Sequence, residues 1–410
     1  MIKIIILGAG NGGVMAALGL EKKFRNRKDI SITIVDKRVY HEFHPNLYEV
    51  ATAEEELVSQ EQLKKSITLP LAEIFSGKNI IIVQDTVVGI DRSAKTVSLQ
   101  LKKISYDYLI IAMGSTTDYF NIPGAKENSL PLKSLADALR IRNQLEFAIQ
   151  AHRLDISKRN LRIVVAGGGY TGVELAGELS HEIELLAWKN QYPLEKIEIA
   201  LIEAMSQLIP GFSSRLSQDA LWHLRNNGVR VMLSSPIAKV DEHFLELANG
   251  ERVAFDVLVW TTGVRSVELP CTESLVLDRK GRIITNEFLQ SQDDSAIFAV
   301  GDCAAVTNVD GRPAPPTAQD AITQGSYIAT ALPLLMQNKK PVAYAGQKHG
   351  AIIALGGKYF IMDYGGVYLR GWFAYAARQL ANVHYYASIV GWWKAVQYIA
   401  LQIKIYSRND

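Results

Sequence analysis

Two glycine-rich segments of the same kind, Gly8-Ala9-Gly10-Asn11-Gly12-Gly13 and Gly167-Gly168-Gly169-Tyr170-Thr171-Gly172, constrain this chain more than any other feature. Each follows an apolar, β-branched run, residues 2–7 in the first case and 163–166 in the second, and each opens a stretch of helical character. The order strand, tight glycine turn, helix aims backbone N–H groups at a pyrophosphate. One such motif predicts a nucleotide; two predict two dinucleotides, and a chain that holds two is most simply explained as passing electrons between them. The repeated unit extends through a second strand that ends in an acid, Asp36 in residues 2–36 and Glu203 in residues 163–203. The expected fold class is therefore α/β, with two Rossmann-like dinucleotide-binding domains.

At 410 residues, 48% hydrophobic and 21% charged, the chain is long enough for two or three globular domains. A net charge of +2 supplies no electrostatic reason for nucleic acid to be the main partner. No signal-like segment precedes the first strand, so an intracellular location is expected. The two cysteines, Cys271 and Cys303, are too few and too far apart for a disulfide framework, which fits a reducing compartment. No apolar run reaches the roughly 18 residues of a spanning helix.

Beyond the first unit, apolar runs at residues 80–83, 96–101 and 108–111 predict strands, closed by a polar turn at 115–118. Asn121-Ile122-Pro123-Gly124 reads as a linker, followed by a helical pattern over 132–152. The second unit continues through strands at 229–233 and 257–260 with a hairpin near Asn249-Gly250, and a late strand at 296–300 runs into Gly301-Asp302. Past about residue 333, turns at Gly356-Gly357 and Gly365-Gly366 lead into an aromatic, basic tail.

An acid at the end of the second strand of such a unit bonds ribose hydroxyls. Glu203 goes further: a carboxylate repels a 2′-phosphate, and the following Ala204 and Met205 supply no arginine to bind one, so NADH is preferred over NADPH. The alternative for either acid is that it merely ends a strand at the surface.

The sequence of motifs resembles the two-dinucleotide-binding flavoprotein reductases. The resemblance rests on the first fingerprint, Ala112-Met113-Gly114, the second fingerprint, Trp260-Thr261-Thr262-Gly263, and Phe298-Ala299-Val300-Gly301-Asp302, in that order. It implies FAD at the N-terminal fingerprint, held by Gly8, Gly10, Gly13 and Asp36, with Ala112, Gly114 and Ala318 also at the cofactor and Asp302 on the ribityl chain. NADH would lie along Gly167, Gly169, Gly172 and Glu203, with Thr262 and Gly263 near the nicotinamide. The implied domains are FAD-binding at 1–120 and 281–333, NADH-binding at 121–280, and a C-terminal region at 334–410.

Within that group the chain is similar to the type II NADH:quinone oxidoreductases. The similarity lies in Tyr40-His41-Glu42-Phe43-His44-Pro45-Asn46-Leu47-Tyr48-Glu49-Val50-Ala51, in Pro315-Pro316-Thr317-Ala318-Gln319-Asp320-Ala321, and in the tail. Gln319 would line the quinone side; where that family often has a second glutamine, this chain has Thr323, with Gln324 one residue later. Glu174 matches a glutamate that the family places near nicotinamide and quinone. It reads equally as a macrodipole partner, or as part of a solvated face with Glu178 and Glu182.

Sulfur chemistry is excluded, because disulfide reductases need a paired dithiol and sulfide:quinone oxidoreductases several redox cysteines. Cys303 beside Asp302 reads as a small apolar residue. His41 and His44 read as polar loop residues, so no metal is expected.

In the tail stand Trp372, Phe373, Tyr375, Tyr385, Tyr386, Trp392, Trp393 and Tyr398, while Arg370, Arg378, Lys394, Lys404 and Arg408 face one acid, Asp410. On a helical wheel Trp392, Val396, Ile399 and Ile403 fall opposite Lys394, Gln397 and Lys404, which suits a lipid bilayer surface; a homodimer interface is the other reading. The expected protein is thus a peripheral, monotopic enzyme on the cytoplasmic face of the cell membrane, passing hydride from NADH to FAD and electrons to a membrane quinone without pumping protons. The rivals are a soluble NADH:acceptor flavin reductase and a slow-turnover redox-sensing interaction protein.

Overall fold

The computed structural model describes residues 1–53, 59–154, 160–271, 273–308, 311, 313–346 and 350–406. They gather into two compact units, one of Met1–Glu42, Thr68–Thr116 and Val264–Lys348, the other of Phe43–Ile67, Thr117–Gly263 and His349–Asp410.

At the centre of the first unit is a five-stranded parallel sheet, in the order Ile297–Ala299, Tyr108–Ile111, Ile2–Leu7, Ile30–Asp36, Ile81–Gln84. The second unit repeats this plan with Leu130–Pro131, Val257–Trp260, Leu161–Ala166, Ile197–Ile202 and Val229–Met232. These strands read as continuous apolar runs because parallel sheets bury both faces, and Ile4, Ile6, Leu7, Ile163 and Val165 are fully buried. In each sheet the fingerprint strand lies in the middle, with its sequence successor on one side and a later strand on the other. The winding therefore reverses direction at the fingerprint strand, and ligands bind in the crevice that such a reversal opens at the carboxyl ends.

A three-stranded antiparallel sheet accompanies each core, Val87–Asp91, Thr96–Leu99 and Lys103–Ser105 in the first unit. Its counterpart in the second unit is Ile237–Val240, Phe244–Leu247 and Arg252–Ala254, whose Val240, Leu245 and Leu247 pack with Val164, Ile202 and Trp260. The segment expected to turn at 115–118 instead forms a short strand, Ser115–Thr117. Thr116 and Thr117 are β-branched, and the Ser115 hydroxyl is held by the Asp302 carboxylate, so extended backbone wins over a turn.

The C-terminal residues gather with the second unit. They form the antiparallel sheet Ala351–Ala354, Phe360–Tyr364, Val367–Arg370, then two helices, Trp372–Val390 and Trp392–Tyr406, separated at Gly391 with φ of 83°. The helices hold each other through Tyr386 and Tyr398, stacked at 5.7 Å, and the bond from Gln402 Nε2 to Tyr386 Oη at 2.8 Å. No described helix is long and apolar enough to cross a membrane. Arg408 and Asp410 lie outside the described residues.

Candidate functional site

Glycine is required at four corners of the two fingerprints, and the reasons match pair by pair. Gly8 and Gly167 have φ of 102° and 106°, where a side chain is strained. A β-carbon on Gly8 would lie 2.3 Å from the Ala112 carbonyl oxygen, and one on Gly167 would lie 2.7 Å from the Thr261 carbonyl carbon. A β-carbon on Gly13 would fall 1.9 Å from the Gly8 oxygen, and one on Gly172 would fall 1.8 Å from the Gly167 oxygen. These contacts draw the strand end, the turn and the neighbouring strand together at the reversal point.

Gly10 and Gly169 behave differently. A β-carbon at either would meet nothing within 4 Å, so the space beside each is open. Both cap their helices, Asn11–Phe24 and Tyr170–Lys189, with nearly identical backbone (φ −74°, ψ −171° and φ −73°, ψ −171°) and no side-chain cap bond. By contrast Ser134, Ser213 and Thr317 cap other helices with their hydroxyls. Two helix N-termini with uncapped N–H groups and cleared space are cradles for an anionic group. The pyrophosphate of a dinucleotide has the matching charge and size, and the first cradle in this way fits FAD.

The acids stand beside these cradles. Asp36 accepts from Ala9 N at 2.7 Å and Arg38 N at 2.8 Å; Glu203 accepts from Gly168 N at 2.5 Å and Met205 N at 2.7 Å. Each carboxylate thereby pins its glycine turn while keeping acceptor capacity for ribose hydroxyls. Both acids are therefore built into the turns, which is more than the end of a surface strand. His41, buried, reaches the same turn from behind: its Nδ1–H donates to the Ala9 carbonyl at 2.9 Å, and burial pushes its pKa down to about 4. His44 begins the short 3-10 turn His44–Asn46.

Within the first unit the late strand returns the chain to this turn. Val300 Cγ2 would lie 3.0 Å from a β-carbon on Gly12, and Gly301 (φ 74°) leads into Asp302, whose carboxylate accepts from Ser115 Oγ. Gln324 sets this geometry: buried in the helix Ala318–Leu335, it accepts from Gly301 N through Oε1 at 2.6 Å. That helix can approach because Gly325 has no side chain; a β-carbon there would lie 2.2 Å from the Gly12 oxygen. Ala318 and Gln319 occupy its first turn, with Gln319 exposed, and Thr323 Oγ1 pairs with Tyr344 Oη at 3.0 Å. Cys303 is buried, and burial raises its thiol to about 11, so it is protonated at neutral pH. Ala112 and Gly114 (φ 72°) follow the strand Tyr108–Ile111.

In the second unit Thr262 Oγ1 lies 3.5 Å from the Asp118 carbonyl, and Gly263 gives room to Phe120, whose ring would be 2.9 Å from a β-carbon. The carboxylates of the fingerprint helix are buried: Glu174 is 8% exposed, Glu178 7% and Glu182 1%. The solvated-face reading is thus wrong. The C-terminal sheet reaches Glu174 through the Ala354 N–H, and Glu178 lies among Asn46, Glu49, Tyr375, Gln402 and Tyr406. Burial raises the Glu174 carboxyl to about 7, against the opposing pull of Arg378 and a long bond from Ala354 N at 3.5 Å. Arg378 is itself anchored, donating from Nη2 to the Pro45 carbonyl at 3.2 Å.

All the site residues expected at FAD, with Gln319, fall in the first unit, and all those expected at NADH, with Glu174, fall in the second. Gln324, Gly325, Gly177 and Arg378 were missed as site-forming residues. Only the glycines carried a sequence signal, isolated Gly within helical patterns.

Two parallel sheets, each with an open glycine cradle and an acid at its reversal point, define a two-dinucleotide oxidoreductase. The pyridine nucleotide-disulphide oxidoreductase family model matches residues 2–325. A type II NADH:quinone oxidoreductase of Haemophilus influenzae is 30% identical, over 87% of this chain and 85% of that protein; one from Staphylococcus epidermidis is 29% identical, over 86% and 87%. The chain belongs to the pyridine nucleotide-disulphide oxidoreductase family and, within it, to the type II NADH:quinone oxidoreductases. The fold is shared with NDH2 from Plasmodium falciparum in complex with NADH, at a TM-score of 0.85 and 19% identity over 98% of both chains. It is also shared with the sulfide:quinone oxidoreductase of Aquifex aeolicus, at a TM-score of 0.75 and 21% identity over 95% of this chain and 92% of that one.

Proposed function

We propose that this chain is an FAD-dependent NADH:quinone oxidoreductase acting at a membrane surface without pumping protons. The observation that carries the reading is the duplicated open cradle, at Gly10 beside Asp36 and at Gly169 beside Glu203. The first would hold FAD, with Gly8, Gly13, Ala112, Gly114, Ala318 and Asp302 shaping its site. The second would hold NADH, with Gly167 and Gly172 closing the turn and Thr262 and Gly263 by the nicotinamide. Bound flavin supplies a two-electron relay between hydride donor and quinone. The names of the relatives support NADH and quinone as its substrates.

The chain's own part is to orient and to manage protons. Glu203 bonds the adenine-side ribose and excludes a 2′-phosphate. Glu174, titrating near pH 7, can hold a proton and release it at neutral pH, as reduction of a quinone to a quinol requires. Gln319, exposed at its helix start, lines the quinone side.

Attachment to the cytoplasmic face of the membrane is supported by the two C-terminal helices. Trp372, Phe373, Leu380, Trp392, Trp393 and Val396 are exposed, as is Ile403, while Ala395, Ile399, Gln402 and Ile405 are buried against the protein. The last helix thus has a buried side, an exposed apolar side, and Lys394 and Lys404 beyond it, as an interfacial helix needs.

An absorbance titration tests the reading. A flavin band that bleaches with NADH and recovers with a quinone is the expected result; absence of flavin, or bleaching with no recovery, overturns it.

A further inference from the structure

Beside the helix that carries Glu174 the second unit contains a cavity of about 30 Å³, lined by Asn46, Glu49, Glu178, Tyr375, Gln402 and Tyr406 among others. About 10–15 Å³ of such space holds one water, so this cavity has room for roughly two. Its walls carry several polar side chains beside the apolar Phe360 and Ile403. Gln402, 2% exposed, uses Nε2 on the Ser66 carbonyl at 2.6 Å and on Tyr386 Oη at 2.8 Å, but its buried Oε1 meets no protein donor. A buried amide oxygen in that position asks for a donor, and a water in the cavity supplies one. On the same helix as Gln402, Tyr406 Oη bonds Ser66 Oγ at 2.7 Å.

The cavity also adjoins Glu174 through side chains. Glu178 is one helical turn from Glu174 on the same helix, so the two share a face. Tyr48, buried on the helix Leu47–Thr52, donates from Oη to Glu49 Oε1 at 3.1 Å. Its hydroxyl is within electrostatic reach of Glu49, Glu174, Glu178 and Arg378 together, and Tyr406 feels both Glu49 and Glu178. The titratable groups around the pair are therefore Tyr48 and Glu49 from one helix, and Tyr375, Arg378 and Tyr406 from the C-terminal helices. The Ala354 N–H reaches Glu174 from the C-terminal sheet.

We propose that this cavity is a water-filled proton-entry chamber in which Glu178, assisted by Glu49, reloads Glu174 between turnovers. The inference rests on the quinone reductase reading. NADH, one proton from solution and a quinone yield NAD⁺ and a quinol, so each turnover consumes one bulk proton. When Glu174 gives up its proton, a proton from solution adds to a chamber water as that water passes one of its own protons to Glu178, so no hydroxide is left behind. That proton passes to Glu174, directly or by exchange through the Tyr48 hydroxyl, and one O–H bond breaks for each that forms. The water is restored from solution, and no net charge stays on the relay. The buried Glu178, which the substrate reading leaves without a task, becomes a positioning and relay residue for the proton.

The test uses holoenzyme carrying Glu178→Gln. Flavin reduction by NADH is expected unchanged, while reoxidation by a short-chain quinone slows about tenfold at pH 8 and less at pH 6, where protons are abundant. Independently of turnover, infrared spectroscopy after mixing into D₂O is expected to show the protonated Glu174 carbonyl band exchanging more slowly in the variant than in wild type. Gln402→Leu, which removes the amide that would hold the chamber water and leaves every carboxylate in place, is expected to reproduce both effects and serves if Glu178→Gln fails to fold. Glu182→Gln, on the same helix but outside the chamber, leaves both unchanged. Unaltered exchange and pH profile in the chamber variants, with wild type reducing quinone, overturn the relay alone. A wild-type enzyme that reduces no quinone overturns the relay and the reading beneath it.

Discussion

A β-carbon on Gly177 would lie 2.6 Å from the carbonyl carbon of Leu355, so the fingerprint helix of the second unit and the C-terminal sheet touch backbone to backbone. The contact is reciprocal, since a β-carbon on Gly356 would fall 2.7 Å from the Gly177 oxygen. Glu174 and Glu178 flank Gly177 by three residues and one, and both are buried. Gly177→Ala is expected to force the sheet away at a cost of about 1–3 kcal/mol. Denaturant unfolding would read that cost, and infrared titration would show Glu174 moving from about 7 back toward ordinary carboxylate values.

Burial raises Glu174 from its ordinary 4.5 to about 7, which makes the folded state less stable as pH rises. Below pH 4.5 the group is protonated folded or unfolded and has no net effect. Between 4.5 and 7 the unfolded chain loses the proton first, and the penalty grows to about 3 kcal/mol above pH 7. Glu174→Gln removes the charge, so the variant is expected to match wild type near pH 4 and exceed its stability by that amount at pH 8. Equal stability curves across this range would show that Glu174 is not desolvated.

Glu203 bonds Gly168 N and Met205 N, so its removal acts on both the turn and the ribose site. Glu203→Ala is expected to raise KM for NADH and to narrow the discrimination against NADPH. Unchanged discrimination would refute repulsion of the 2′-phosphate.

Gln324 Oε1 is the partner of Gly301 N. Gln324→Leu leaves that half-buried N–H without its acceptor, at about 1 kcal/mol, and loosens the turn that presents Asp302. The expected result is lower flavin content after purification, with normal content restored in Gln324→Glu, which keeps the acceptor.

The exposed aromatic sector predicts vesicle binding. Replacing Trp372, Trp392 and Trp393 together by Ser is expected to abolish cosedimentation with anionic liposomes while leaving the melting temperature within a few degrees, since all three side chains are exposed. A loss of dimer in solution with vesicle binding intact would instead assign the sector to a second copy of the chain.

The duplicated strand, glycine turn, helix and acid could be read directly from sequence because its requirements are local. Left-handed φ at Gly8 and Gly167 favours glycine whatever surrounds them, while Gly10 and Gly169 keep the space beside each helix start open. Pairing Asp36 with the first turn and Glu203 with the second needed only the known length of a strand, helix and strand. The amphipathic tail was legible for the same reason, although the wheel did not separate its buried side from its exposed one. Ile399 is 5% exposed and Trp392, on the same side of the wheel, is 66% exposed, a difference set by where the helix rests on the protein.

What the sequence alone determined is therefore the pair of strand, glycine turn and helix units, each with an acid at the end of its second strand. Tertiary structure decided the fate of Glu174, Glu178 and Glu182. Helical spacing describes a solvated acidic face and a buried one equally well, and segments distant in the chain take Glu174 and Glu178 out of water: the C-terminal sheet at Glu174, and Asn46, Glu49, Gln402 and Tyr406 around Glu178. Desolvation depends on which distant segment comes to cover a side chain, and no local pattern carries that information.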